Sequence, residues 1–305
     1  MLKVIPAIAL VAIGCHGQTQ APGAATPIEA QLPAAHSPEQ LARGAYVAAI
    51  AGCTTCHTPL MADGQLHDHS RELAGTELHV PGGMTVEVPN ISPDADTGIG
   101  KWSDAQIIKA IREGVRPDGS RLAPLMPYPF YNRMTDADAA SLVAYMRSEP
   151  PIQNRVARNQ NLPMQPVTVT APRGYVDRTN DPHAHGEYLA TLMHCGACHT
   201  PQQGSFANQV FAGGTRFGDV VVPNITSDHE TGIGTWSEDD VITAVRAMKD
   251  PEGHSLHAPM SEYREAWAQL TDSDSRALAV YVKSVPAVHH DIEQEQQAPA
   301  PVSAR

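Results

Sequence analysis

The stretch Cys195-Gly196-Ala197-Cys198-His199-Thr200-Pro201 sets two thiols three positions apart, with an imidazole directly after the second. In the first half, Cys53-Thr54-Thr55-Cys56-His57-Thr58-Pro59 repeats the order of cysteines, histidine, threonine and proline. A redox thiol pair belongs after a strand in an α/β unit, and neither motif follows such a strand. A zinc site needs four ligands, and each half offers one cysteine pair and a histidine, with no second pair at ribbon spacing. A disulfide spanning two residues closes no useful loop.

Covalent haem attachment uses every residue of the motif. Two thiols at this spacing add to the two vinyl groups of one porphyrin, and the adjacent histidine is delivered to the iron. Its double occurrence implies two haems per chain, held by Cys53, Cys56 and His57, and by Cys195, Cys198 and His199.

The elements around the motifs are duplicated too. Val88-Pro89-Asn90-Ile91-Ser92 matches Val222-Pro223-Asn224-Ile225-Thr226, and Thr97-Gly98-Ile99-Gly100-Lys101-Trp102-Ser103 matches Thr231-Gly232-Ile233-Gly234-Thr235-Trp236-Ser237. This frame predicts two modules, 37–151 and 180–288, joined by a linker over 152–179. Each module carries three helix signals. The first begins at Ser37-Pro38 with a capping-box Gln40, or at Asp181-Pro182, and runs into the cysteine motif. The second is capped by Ser103 or Ser237 and shows an apolar face, Ile107, Ile108 and Ile111 or Val241, Ile242 and Val245. The third starts at Thr135 or Thr271 and stops before Pro150 or Pro286. No run of strands stands out. Aromatic residues make up only 5% of the chain against 23 glycines and 26 prolines, so a buried ligand is expected to organise the long loops.

With these motifs, the chain resembles the class I c-type cytochrome family in its diheme form, also seen in cytochrome subunits of membrane-bound dehydrogenases. The resemblance implies an all-α fold of two tandem cytochrome c-like domains, each a small bundle wrapped round its haem with first and last helices crossing closely. Gly44 and Gly186 on the first helices, with Tyr145 and Tyr281 on the last, look like the participants in that crossing. It also implies a distal methionine before the last helix. Met126 and Met260 alone occupy matching places, each just after Ala-Pro in a proline-bearing loop; Met134, Met164, His254 and His257 are weaker rivals. Methionine–histidine ligation fills both axial positions and suits an electron carrier in an oxidising compartment. Trp102 and Trp236 each offer an indole donor for a haem propionate. Asn90 and Asn224 match a glycosylation acceptor pattern, but their place in the duplicated frame marks them as structural loop residues.

The N-terminus reads as an export signal, with Lys3 followed by an apolar run from Val4 to Ile13, too short for an ordinary spanning helix. Ala12-Ile13-Gly14-Cys15 resembles a bacterial lipobox that would make Cys15 a lipidated first residue; a plain signal peptide cut near Ala21 to Ala25 is the alternative. Residues 1–15 are therefore assigned to the signal and lipobox, 16–36 to a flexible tether and 289–305 to a disordered tail. Asp63, His67, Asp68, His69 and His79 read as an exposed polar loop, and the arginines of the linker as a solvated connector. The formal charge of −12 argues against nucleic-acid binding. The expected function is single-electron transfer between a donor, such as a dehydrogenase, and a respiratory acceptor in the periplasm or cell envelope. A diheme peroxidase and a zinc-binding envelope lipoprotein are the alternatives.

Overall fold

The computed structural model describes residues 36–292 apart from 63, 65, 81–82, 161, 163, 172–176 and 178. The export signal, Cys15, most of the tether and most of the tail lie outside the described residues.

Each module starts with a capped helix and a proline in its first turn. In α1 (Pro38–Ile50) the Ser37 hydroxyl accepts from the Gln40 amide, and in α6 (Pro182–Leu192) the Asp181 carboxylate accepts from His183 and Ala184. The Gln40 side chain pairs with His36 Nδ1 at 3.2 Å, so the expected capping box is half made. One left-handed residue, Gly52 or His194, turns the chain into a single-turn helix carrying the motif, α2 (Cys53–His57) or α7 (Cys195–His199). The middle helices α3 (Asp104–Glu113) and α8 (Glu238–Ala247) begin at full capping boxes built by Ser103 with Gln106 and by Ser237 with Asp240. The last long helices, α5 (Asp136–Ser148) and α10 (Asp272–Ser284), are capped by Thr135 and Thr271. Shorter turns precede them, α4 (Tyr128–Tyr131) and α9 (Arg264–Trp267).

The first and last helices cross as expected, and glycine is what lets them. A Cβ at Gly44 would lie 2.0 Å from the Ser141 carbonyl oxygen and 2.7 Å from Tyr145 Cβ. At Gly186 the same distances run to the Ala277 oxygen and Tyr281 Cβ. Backbone thus packs on backbone at both crossings.

Strands do occur, contrary to the expectation. β1 (Thr76–Val80) and β2 (Met84–Val88) pair antiparallel in the first module, and the shorter β3 (Arg216–Phe217) and β4 (Val220–Val221) pair in the second. Five alternating residues on either side of Pro81-Gly82-Gly83 suffice for a hairpin. The linker is not free either. Asn159 binds the backbone of Glu87 in both directions, Arg158 pairs with Asp118, and Val167 exchanges two hydrogen bonds with the Tyr128 hydroxyl.

From His36 onward the chain is one compact unit whose main apolar cluster draws on both modules. Its seam is reciprocal. Tyr46 of α1 donates to Asp274 at the start of α10, and Tyr188 of α6 donates to Asp138 at the start of α5 at 2.5 Å. The tyrosines three positions after Arg43 and His185 are thus matched across the repeat, and so are their partners. Arg43 holds Asp138 through two bonds of 2.7 Å, while His185 lies 3.0 Å from Asp274 and 2.7 Å from Asp177.

Candidate haem sites

The four motif cysteines are free thiols, and burial pushes all of them upward, Cys53 and Cys195 to about 12, Cys56 and Cys198 to about 11. Thiols held protonated at neutral pH are poor nucleophiles for disulfide exchange, which removes the basis for a redox thiol pair.

The histidines are fixed by the duplicated Pro-Asn-Ile segments. His57 Nδ1 donates to the Pro89 carbonyl at 2.7 Å, and His199 Nδ1 donates to the Pro223 carbonyl at 3.0 Å. A proton held on Nδ1 leaves Nε2 with its lone pair, the tautomer that a metal-ligating imidazole needs. Burial drives His57 down to about 4 and lowers His199, so both rings are neutral at physiological pH. Each motif also returns a backbone bond, from Gly75 to the His57 carbonyl and from Gly213 to the His199 carbonyl.

Asn90 and Asn224 secure the proline carbonyls. They are 4% and 2% exposed, and their amides donate to Thr97 and Ile152 or to Thr231 and Val288. A side chain so committed is no glycan acceptor; it ties the loop bearing the His partner to the strand of chain leaving the last helix.

Met126 and Met260 are half-buried and packed on the core, the first in the turn before α4 and the second opening a 3₁₀ turn before α9. Met134 is fully buried among apolar neighbours, as filler should be, and His254 and His257 are exposed. Trp102 and Trp236 pack half-buried against the same core.

The histidine-rich loop forms no metal cluster among its described residues. His67 is buried rather than exposed, bridging to Glu265 of the other module and to the Thr55 carbonyl; His69 pairs with Glu72, and His79 lies against Thr85. Among the described residues, Asp250, Glu252 and His254 are the one group close enough to share an ion, on a largely exposed turn with no further ligand.

His194 stands at the place of Gly52 and has no counterpart in the repeat. It takes the left-handed conformation with φ 44°, which costs an L-residue roughly 1–2 kcal/mol. Its ring is buried, with Nε2 3.0 Å from the Tyr263 hydroxyl and its edge against Tyr131.

The cytochrome c family model matches residues 41–149 and 184–286, one match around each motif. The chain belongs to the cytochrome c family. It is 37% identical over 281 residues to the fructose dehydrogenase cytochrome subunit of Gluconobacter japonicus, covering 86% of this chain and 56% of that protein. It is 34% identical over 287 residues to the alcohol dehydrogenase (quinone) cytochrome c subunit of Gluconacetobacter polyoxogenes, covering 85% and 58%. A diheme cytochrome c-type protein of Cereibacter sphaeroides is 32% identical over 264 residues, covering 82% of this chain and 87% of the relative. The chain thus spans a little over half the length of the dehydrogenase subunits and most of the diheme protein. This cytochrome carries two covalent c-type haems. Its unpaired thiols, Cys53 buried and the other three half-buried, and its neutral, Nδ1-anchored histidines fit that group in both modules. Among the described residues no helix is long and apolar enough to cross a membrane.

Proposed function

We propose that Cys53, Cys56, His57 and Met126 hold the first haem and Cys195, Cys198, His199 and Met260 the second. The protein then relays single electrons from a dehydrogenase to a respiratory acceptor in the cell envelope. The observation that carries the ligand assignment is the repeated bond from His Nδ1 to a proline carbonyl. It holds the proton on one nitrogen and presents the other, in two places related only by duplication.

Bound haem supplies a reversible one-electron iron couple. The rest is done by the chain. The cysteines would fix the ring covalently, the histidine and methionine would each supply a ligand to the iron, and the apolar cluster would keep water away. Two protein ligands on each iron would favour electron transfer over peroxide chemistry. Trp102 and Trp236 orient the propionates through their indole N–H groups, and Cys15 anchors the chain to the membrane by lipid. The likeness to two dehydrogenase cytochrome subunits supports a dehydrogenase as donor.

The test is the methionine–iron charge-transfer band of the oxidised protein. Met126→Ala and Met260→Ala should each remove half of its intensity. An undiminished band in either variant would show that another residue, such as Met164 or His257, is the ligand.

A further inference from the structure

Between the two attachment motifs lies a small group of aromatic side chains. Tyr263 comes from the 3₁₀ turn before α9; its ring packs against Gly52, the residue before Cys53 of the first module, and its hydroxyl lies 3.0 Å from His194 Nε2 of the second. Cys198 also lies in its immediate electrostatic surroundings. The next residue after His194 is Cys195. A continuous line therefore runs from Cys53 along one peptide to Gly52, across a close contact to the Tyr263 ring, through one hydrogen bond to His194, and along one peptide to Cys195.

The surroundings hold this line in place. The Tyr263 ring stacks on Trp267 at 4.6 Å, and the Trp267 indole donates to the Ile50 carbonyl across the seam at 3.1 Å. The His194 ring meets Tyr263 at 5.3 Å and Tyr131 at 6.2 Å, edge to face in both cases. Gly52 makes room: a Cβ there would lie 2.8 Å from the Tyr263 ring and 3.5 Å from His194.

Neither bridging residue is demanded by the module itself. The place of His194 holds Gly52 in the first module, and the place of Tyr263 falls at Pro127 or Pro129, depending on the register across a short insertion. Nearby Tyr128 sends its hydroxyl to the linker at Val167. Side chains required by the fold would occur twice; these occur once, where the two modules meet, and His194 adopts a left-handed backbone to be there.

We propose that the Tyr263–His194 pair is the conducting bridge between the two haems. This rests on the assignment of the two cysteine pairs as attachment sites. One electron leaves the reduced iron and arrives at the oxidised one. No bond forms or breaks, no proton moves, and Tyr263 and His194 mediate without being oxidised. Both are positioning residues that act through the cysteine linkages.

The experiment is photochemical injection of one electron into the oxidised two-haem protein, followed by the rate at which the haems equilibrate. Tyr263→Phe keeps the ring and removes the hydroxyl. His194→Asn removes the imidazole in a residue type that tolerates the left-handed backbone. Each is expected to reduce the rate to a minor fraction of wild type, with two haems per chain and both midpoint potentials unchanged. The double variant should be no slower than the slower single one, since both interrupt one path. Tyr263→Phe equilibrating at the wild-type rate with both haems in place overturns the bridge alone. Fewer than two haems in the wild-type protein overturns the attachment sites and the bridge with them.

Discussion

The seam between the modules should lose strength as pH rises through neutrality, because one of the two carboxylates that accept a tyrosine across it is clasped by a histidine. His185 lies between Asp274 and Asp177, and the bond to Asp274 followed by the charges of both carboxylates raises it above its ordinary value. The groups facing this cluster are Tyr46 and Arg43 on the Asp274 side, Arg43 and Asp138 near Asp177, and the Tyr188 ring. A histidine raised in the folded state contributes stability that is complete below its unfolded pKa of about 6.5 and disappears as pH climbs through the folded value. The Arg43–Asp138 clasp contains no histidine and is an internal control. A hydrogen bond to a charged group is worth about 1.5–3 kcal/mol. Taking about 2 kcal/mol for the clasp, a protein of this size should show a melting difference of about 4–8 °C. Scanning calorimetry of wild type against His185→Asn tests this, the difference cancelling groups common to both. The gap should be full near pH 5.5 and shrink as pH rises above the ordinary histidine range. A gap that is flat, or that widens with pH, would mean that His185 is neutral in the seam and refute the reasoning.

Gly186→Ala should destabilise the second module by about 1–3 kcal/mol through overpacking, less the ~1 kcal/mol that alanine gains as a helix former, read as a lower melting temperature. Ala placed at an exposed helix position such as Thr243 of α8 is the comparison, and equal stability of the two would contradict the crossing. Trp267→Phe removes the bond to Ile50 and should cost about 1 kcal/mol in denaturant unfolding, with both haem spectra retained. Met260→His should lower the potential of one haem and leave the other in place, checked by spectroelectrochemical titration.

Much of this architecture could be read from particular residues. Ser37, Ser103, Thr135 and their counterparts signal helix starts because a side-chain oxygen must meet an unpaired amide within three residues, a strictly local requirement. Gly44 and Gly186 were legible because glycine inside a helix needs a reason, and close backbone contact provides it. The proline carbonyls that orient His57 and His199 lay within the duplicated segments, although only the fold shows that they face the imidazoles. The seam was not legible. Tyr46 and Asp274 are far apart in the chain, and neither tyrosine nor aspartate reveals its hydrogen-bond partner through spacing. Their recurrence as Tyr188 and Asp138 at matching places of the two modules was the available signal. The hairpins escaped because five-residue runs barely exceed the length at which alternation is distinguishable from chance. His194 escaped for the opposite reason, since the repeat directs attention to what is shared and its role depends on what is not.

The central claim is that two covalent haems sit on the two cysteine motifs, and pyridine haemochrome analysis after acid–acetone extraction tests it most directly. Wild type should retain two c-type haems per chain, and replacing Cys53 and Cys56 by alanine together should leave one, with the second motif still loaded. Haem that extracts into the solvent, or a stoichiometry unchanged by that replacement, would contradict it.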